Sequence, residues 1–321
     1  MLTDSKVCFL FSRIFFAMLL PLFWTGCETH LPKEEKRAET PRFLRYTVKS
    51  YQQTMQILDN LGYTREAFKK GMEQVPDIEL TRISDRWSDE AKNIPVEVKK
   101  SIFLRLLASG ALKADREVAR ERKRLLEILR KIPQGPVSRK ESRWLRRLAY
   151  KYKVIKKENG ILTPPLLEEL KKRVDIVPAS LILAQGAVES GWGTSRFAVK
   201  GNALFGQWSF SKSSMKPREQ RSYLGDYGLA SFNTPLDSVR AYILNLNTHP
   251  AYREFREMRA KLRREGKPLS GTLLARTLEN YSERGEAYIK ELLKVIRVNN
   301  LSWLDHAKLS ENSPVIIHPD A

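Results

Sequence analysis

Hydrophobic residues recur at helical spacing through most of the chain after residue 46. The run VEVKKSIFLRLLASGAL over residues 96–112 places its apolar side chains three or four positions apart, which is the period of one helix face. Residues 115–131 predict another helix, charged on one face and rich in leucine and isoleucine on the other. The sequence PQGP at 133–136 then predicts a break. We therefore expect a basic helical N-terminal region over residues 46–135.

The second half of the chain predicts helices with one short β segment. Ser138 and Glu141 stand three positions apart in capping-box register, so a helix should begin after Ser138. The segment 223–232 predicts a β-hairpin, and helical spacing returns after it. These patterns predict a predominantly α-helical α+β domain with a small β-hairpin lobe over residues 136–304. Residues 305–321 are expected to form a frayed tail.

The N-terminus carries the features of an export signal. Two basic residues precede an apolar run of eleven residues, 14–24, which falls short of the ~20 residues that span a bilayer. Small residues then lead to Cys27, as at the site where bacterial lipoproteins are cleaved and acylated. We expect a lipoprotein-type signal peptide over 1–27, a lipid on Cys27 and a tether over 28–45. The alternative is an ordinary secretory signal or an uncleaved anchor. By resemblance to Gram-negative lipoproteins, Glu28 after the cysteine implies the outer membrane. We therefore expect the periplasm of the cell envelope, with a lipid anchor in the outer membrane.

The net charge of the chain restricts the classes of partner that we expect it to bind. Its 321 residues include 57 Lys and Arg against 37 Asp and Glu, a net charge of +20, which predicts an anionic partner. Between residues 115 and 157, 16 basic residues stand against five acidic ones. These are either solvated helix faces or a patch that docks on anionic glycan, a teichoic-type polymer or a membrane. Nucleic acid is not expected, because no aromatic ladder interleaves the charges and the protein is expected to be exported.

Cysteine and histidine are scarce. The cysteines are Cys8 and Cys27, and the four histidines are scattered, so neither a disulfide scaffold nor a metal centre is expected. With Cys8 removed and Cys27 acylated, the mature protein would have no free thiol, which fits an oxidising compartment. We expect no metal and no organic cofactor.

Glu189 is the residue best placed for chemistry. Pro178 suits the first turn of a helix and Gly191 suits a left-handed end, so Glu189 lies in the last turn of a mostly apolar helix. There its carboxylate faces the negative end of the helix dipole, while Val188 and Trp192 offer partial desolvation. Both effects raise the pKa of the carboxyl group, and a protonated carboxyl group can protonate a leaving glycosidic oxygen. The alternative is an ordinary surface glutamate.

The stretch AQGAVESGWGTSRFAVKGNALFGQW, at 184–208, resembles the signature of the bacterial endo-β-N-acetylglucosaminidases, glycoside hydrolase family 73. The similarity continues in NLNTHPAY at 245–252 and in YSERGEAY at 281–288. Within the family it is most similar to the Bax-like proteins of Gram-negative bacteria, and it covers about residues 138–304. It implies a lysozyme-like fold, peptidoglycan as the substrate and no cofactor.

The resemblance also assigns roles by position. Glu189 corresponds to the general acid, and Tyr281 to a cleft tyrosine that steadies the 2-acetamido group or the charge at the reacting carbon. For Tyr281 a purely structural aromatic is the alternative, and for Phe205 packing in the core is the alternative. The residues implied in substrate binding are Ser190, Trp192, Asn202, Phe205, Trp208, Tyr223 and Asp226.

A second carboxylate would be needed to activate water in an inverting enzyme. Glu219 is the favoured candidate, because Asp226 is also a turn residue and Asp237 is placed to open the next helix. The acetamido group of the substrate is the alternative to a protein base. A lytic transglycosylase and a non-catalytic wall-binding lipoprotein are the rival functions. The helical N-terminal region could recruit a protein partner.

Overall fold

The computed structural model describes residues 43–209, 215–216 and 228–320, except the side chains of residues 208 and 209. The predicted signal peptide, Cys27 and most of the predicted tether lie outside this part of the chain. Residues 41–321 form one compact unit. No described helix combines the length and apolar character that a membrane crossing requires.

The described chain is mostly helical with small sheets, which confirms the predicted α+β class and is consistent with a lysozyme-like domain. The helices are α1 (Tyr51–Asn60), α2 (Arg65–Lys70), α3 (Trp87–Asn93), α4 (Val96–Lys131), α5 (Arg139–Lys151), α6 (Pro164–Arg173), α7 (Ala179–Ser190), α8 (Arg196–Gly201), α9 (Pro235–Thr248), α10 (Arg253–Arg264), α11 (Gly271–Ala275) and α12 (Glu286–Val298). The strands are β1 (Leu44–Val48), β2 (Gln74–Val75), β3 (Ile78–Leu80), β4 (Trp208–Ser209), β5 (Gly228–Leu229), β6 (Lys308–Leu309) and β7 (Val315–Pro319).

The longest element, α4, corrects one prediction about the N-terminal region. The sequence predicted two helices divided near residue 113, but α4 runs unbroken for 36 residues. Lys113 and Ala114 join the two patterns, and both residue types favour the helix. Pro133 lies in the 3-10 turn that follows Lys131, so the helix ends where proline removes a backbone donor.

The capping box at the start of α5 is confirmed. The Ser138 hydroxyl accepts a hydrogen bond from the Glu141 backbone N–H at 3.2 Å, and the Glu141 carboxylate accepts one from the Ser138 N–H at 3.0 Å. Next to the predicted hairpin lobe, β4 and β5 pair antiparallel. The sequence predicted the turn of this hairpin at 225–226 or at 227–228. Residues 225–227 lie outside the described residues, and Gly228 lies in the strand β5.

The C-terminal segment corrects a second prediction. Instead of a frayed tail, β7 lies between β1 and β3 in a parallel three-stranded sheet, with Val315 opposite both Leu44 and Ile78. Val315 and Ile317 are buried in the main core. Alternating burial of this kind holds a strand in one register, so apolar residues at every second position explain the order that the sequence analysis missed.

Two apolar cores share α4, and each contains side chains from both sides of the predicted boundary between residues 135 and 136. The main core joins Ile102 and Leu107 of α4 to Leu181 of α7 and Val239 of α9. The second core joins the far end of α4, at Leu125, to side chains of α5 and α6. The N-terminal region is therefore packed together with the second half of the chain, because one helix supplies side chains to both cores.

Candidate active site

The last turn of α7 holds Glu189, and the chain ends the helix directly after it. Gly191 adopts the left-handed conformation at φ 58° and ψ 46°, as the sequence predicted, and its N–H bonds the Ala187 carbonyl. The Ser190 hydroxyl donates to the Gly186 carbonyl and accepts from the Gly193 N–H at 2.8 Å. Ser190 is buried. Its hydroxyl therefore fixes the turn beside Glu189, which argues against the predicted contact between Ser190 and substrate.

The Glu189 carboxyl group lies in a partly buried site between α7, α12 and the loop after α8. A Cβ atom on Gly206 would lie 3.4 Å from Glu189 Oε2, and Gly206 has a φ of 62°. Desolvation raises the pKa of Glu189, and the negative charge of Glu291 acts in the same direction. A hydrogen bond from Tyr288 and the positive charge of Arg284 oppose the rise. The net shift is upward, as a general acid requires.

A chain of hydrogen bonds leads from the core to Glu189. The Tyr242 hydroxyl donates to Gln185 Oε1, and Gln185 Nε2 donates to the Tyr288 hydroxyl at 2.8 Å. Tyr288 in turn donates its hydroxyl hydrogen to the Glu189 carboxylate. Gln185, Tyr242 and Tyr288 are buried. These buried hydrogen bonds hold the Tyr288 hydroxyl group in place, and Tyr288 acts on the Glu189 carboxylate.

Tyr281 stands at the centre of an aromatic cluster beside this network. Its ring stacks on Tyr288 at 5.7 Å between centroids and lies 5.6 Å from the ring of Tyr252. Its hydroxyl donates to the Phe205 backbone carbonyl at 3.0 Å. Burial raises the pKa of Tyr281 well above its usual value, and the charge of Glu189 adds to this. Tyr281 therefore stays neutral near Glu189, and its catalytic role stays a prediction.

Trp192 adopts an unusual backbone conformation next to the end of α7. Its φ is 61°, a left-handed geometry that costs a bulky residue free energy. Its ring meets Phe103 edge to face at 5.9 Å, and Lys100 Nζ lies 5.3 Å from the ring centre. Trp87 Nε1 donates to the Trp192 carbonyl. Residues of the N-terminal region thus hold the turn after Glu189, while the role of Trp192 in binding substrate stays a prediction.

Two residues predicted to bind substrate are placed in the interior instead. Asn202 Oδ1 accepts from the Ile83 N–H at 2.9 Å, and its Nδ2 donates to the carbonyls of residues 232 and 233. Asn202 also ends α8 in the left-handed conformation, so its side chain ties three segments together. Phe205 is 2% exposed and stacks on Tyr242 at 4.2 Å. Both predictions are corrected, because backbone groups and the core occupy these side chains.

Several predicted site residues lie outside the described part of the chain. These are Glu219, Tyr223, Asp226 and the side chain of Trp208. Glu219 as second carboxylate therefore stays a prediction. Asp237 lies in the first turn of α9, where Thr234 donates to its carboxylate and Arg240 pairs with it at 3.0 Å. This is the helix-opening position that the sequence predicted for Asp237.

Gln185, Tyr288 and Gly206 are parts of the site that the sequence did not predict. Gln185 precedes Glu189 by four positions, and this spacing places both side chains on one face of α7. Tyr288 is the last residue of the motif YSERGEAY, but the sequence assigned no role to it. Gly206 carried no chemical signal, because its contribution is the absence of a side chain. Within the described residues, no group of three or more His, Cys, Asp or Glu side chains could hold a metal ion.

Comparison with known proteins agrees with this geometry. Residues 164–301 match the Glucosaminidase family model, described as mannosyl-glycoprotein endo-beta-N-acetylglucosaminidase. The chain is 35% identical over 201 residues to protein bax of Escherichia coli (strain K12), across 63% of this chain and 70% of that protein. No solved structure gives a significant match. A domain of this kind supports a glycosidase that acts on glycan. The chain belongs to the glucosaminidase family, as a relative of protein bax.

Proposed function

We propose that the protein is a peptidoglycan hydrolase that cleaves the β-1,4 bond after N-acetylglucosamine. The observation that carries the proposal is the Glu189 carboxyl group, whose pKa is raised and whose orientation is set by Tyr288. A carboxyl group with a raised pKa can donate a proton. Gly191 ends α7 in the left-handed conformation, so Glu189 lies in the last turn of this helix. These are the requirements for general acid catalysis of glycoside cleavage.

In the proposed reaction, Glu189 protonates the glycosidic oxygen as the bond from that oxygen to the anomeric carbon breaks. The bonding electron pair leaves with the oxygen, and positive charge develops on the sugar ring. Water then adds to the anomeric carbon and releases a proton. Glu219 would accept this proton in an inverting reaction. In a substrate-assisted reaction the acetamido oxygen attacks first, and the intermediate that it forms is then hydrolysed.

The proposed location is the periplasmic side of the outer membrane, with a lipid on Cys27. The support is the sequence alone, in the short apolar run and the small residues before the cysteine. Fractionation of cells that express the natural chain beside Cys27→Ala tests the anchor. Equal release of both proteins into the soluble fraction would exclude it.

The test of the reaction is the digestion of sacculi by the full-length protein and by Glu189→Gln. Products are reduced with borohydride and identified by mass spectrometry. We expect reduced N-acetylglucosamine ends, at a rate about 10²- to 10⁴-fold lower for Glu189→Gln. The matched control is Glu257→Gln, the same change on the exposed face of α10, which should retain full activity.

Near-normal turnover by Glu189→Gln would exclude Glu189 as the acid. Anhydro-muramyl ends would instead identify a lytic transglycosylase that uses the same acid. The carboxylate of Glu291 acts electrostatically on Glu189, but it is paired with Arg284 at 2.7 Å. Glu291 is therefore a weak candidate for a base, and the lytic transglycosylase is kept as a second candidate.

A further inference from the structure

A basic groove lies at the end of α7 opposite Glu189. It has a volume of about 690 Å³ and is bounded by α4, α6 and α10, together with residues 175 and 176 that precede α7. Because α7 has twelve residues, its two ends are about 18 Å apart. The groove is therefore a separate feature from the site of chemistry. Its cationic lining residues are Arg122, Lys123, Arg130, Lys171, Lys172, Arg263 and Arg264.

Two carboxylates line the same groove, and both are already paired. Arg263 binds both oxygens of Asp175, at 2.8 and 3.0 Å, and Arg122 lies 3.4 Å from Asp175. Glu168 lies 3.5 Å from Lys171. Burial would raise the pKa of Asp175, but the nearby guanidinium groups outweigh it and keep the pKa low. The groove thus keeps a large excess of positive charge after its internal pairs are counted.

Three of the cations have no partner of their own among the described residues. Lys123, Lys172 and Arg264 make no side-chain hydrogen bond or ion pair there. The remaining lining residues are apolar, namely Ala119, Leu126, Ile176 and Ala260. A ligand that fits must carry several negative charges and some alkyl surface. A concave wall also favours a narrow ligand over a flat bilayer.

We propose that this groove binds the short acidic stem peptides borne by the glycan polymer that Glu189 would cut, an inference that rests on the proposed function. Stem peptides combine carboxylates with alkyl side chains, which matches the positive charge and the apolar lining residues of the groove. They also recur along the polymer. A second contact about 18 Å from the active site would hold the enzyme on its substrate between cuts, because linked binding events strengthen one another.

The experiment is a titration of the full-length protein with a fluorescent alanyl-D-glutamyl-diaminopimelic acid tripeptide. The variant carries Lys123→Gln, Lys172→Gln and Arg264→Gln. The control carries Arg45→Gln, Lys69→Gln and Lys308→Gln, which remove the same charge from exposed residues outside the groove. We expect the groove variant to bind about tenfold more weakly and the control to bind as the natural chain does. Added salt should weaken binding, since it screens exposed charges.

The outcomes separate this inference from the proposed function. Equal affinity of groove variant and control, or equal binding of the fully amidated tripeptide, would overturn it. Binding to phosphatidylglycerol vesicles without binding to the tripeptide would also overturn it, in favour of a membrane surface. Cleavage of glycan strands stripped of stem peptides should be unchanged in the groove variant. If the natural chain does not cleave sacculi, the proposed function fails, and the tripeptide titration still decides whether the groove binds acidic peptides.

Discussion

At the scale of single residues, Tyr288 controls the state of Glu189 in two opposing ways. Its hydrogen bond favours the ionised carboxylate, while the burial that it helps to create favours the protonated form. Gln185 holds the Tyr288 hydroxyl at 2.8 Å, so the donor cannot turn away. The site therefore holds an oriented carboxyl group whose pKa is raised by burial.

Tyr288→Phe should shift the pH profile of activity. Loss of the donor removes a group that lowers the pKa of Glu189, so the pKa should rise further. A general acid works in its protonated form, and the rate falls as the pH rises through its pKa. The alkaline limb of kcat/KM should therefore move to higher pH, with a maximal rate lowered about tenfold because orientation is lost.

The matched control for this change is Tyr150→Phe, which alters an exposed tyrosine on α5. It should leave both the rate and the pH profile unchanged. A fall in rate for Tyr288→Phe without any movement of the alkaline limb would show that Tyr288 is only a packing residue.

At the scale of elements, the close contact between α4 and α7 depends on a missing side chain. A Cβ atom on Gly186 would lie 2.7 Å from Leu107 Cδ2 and 3.4 Å from Phe205. Gly186 lies one turn before Ser190 and supplies the carbonyl that the Ser190 hydroxyl bonds. The separation of the two helices thus fixes the turn that carries Glu189.

Two glycine-to-alanine changes test this contact. Gly110 of α4 has no atom within 4 Å of an added Cβ, so Gly110→Ala should raise the free energy of unfolding by about 0.5–1 kcal/mol through helix propensity. Gly186→Ala should lower it by about 1–3 kcal/mol, because the core is overpacked. Denaturant titration of both variants measures the difference. Equal stabilisation by the two changes would contradict the close contact.

At the scale of the whole molecule, the N-terminal region supports the site it precedes. Phe103 packs against the ring of Trp192, and Trp87 donates a hydrogen bond to the Trp192 carbonyl. The Ile83 backbone N–H donates a hydrogen bond to Asn202. Both apolar cores draw on α4. Residues 46–135 are therefore part of the scaffold of the candidate active site.

Removal of residues 1–135 should prevent folding. The remaining chain would lose every α4 side chain from both cores. The free energy lost with these contacts far exceeds the 5–15 kcal/mol of net stability that a domain possesses. We expect circular dichroism and sedimentation to show an unfolded or aggregated chain. Removal of residues 1–42 alone is the control, and it should leave a folded protein. A folded, active chain that begins at residue 136 would contradict the shared cores.

The sequence predicted the parts of the site that depend on local signals. The capping box at Ser138 and the left-handed end at Gly191 follow from residues within one helical turn, and both are confirmed. The use of Asn202 could not be predicted, because its partner Ile83 lies 119 positions away in the chain. For Phe205 the sequence left substrate binding and core packing open, and the core is where it lies. Residue type shows what a side chain can bind, and the fold decides which partner reaches it.

The placement of β7 between β1 and β3 makes the order of synthesis important. The two outer strands leave the ribosome first, and their central partner follows roughly 270 residues after β1, so the sheet cannot close by zipping along neighbours. Until then, each outer strand has unpaired backbone groups that can pair with other strands. A chain that stops before residue 315 keeps both edges open. The sheet can therefore form only after residues 315–319 have been synthesised, because β7 is the shared partner of β1 and β3.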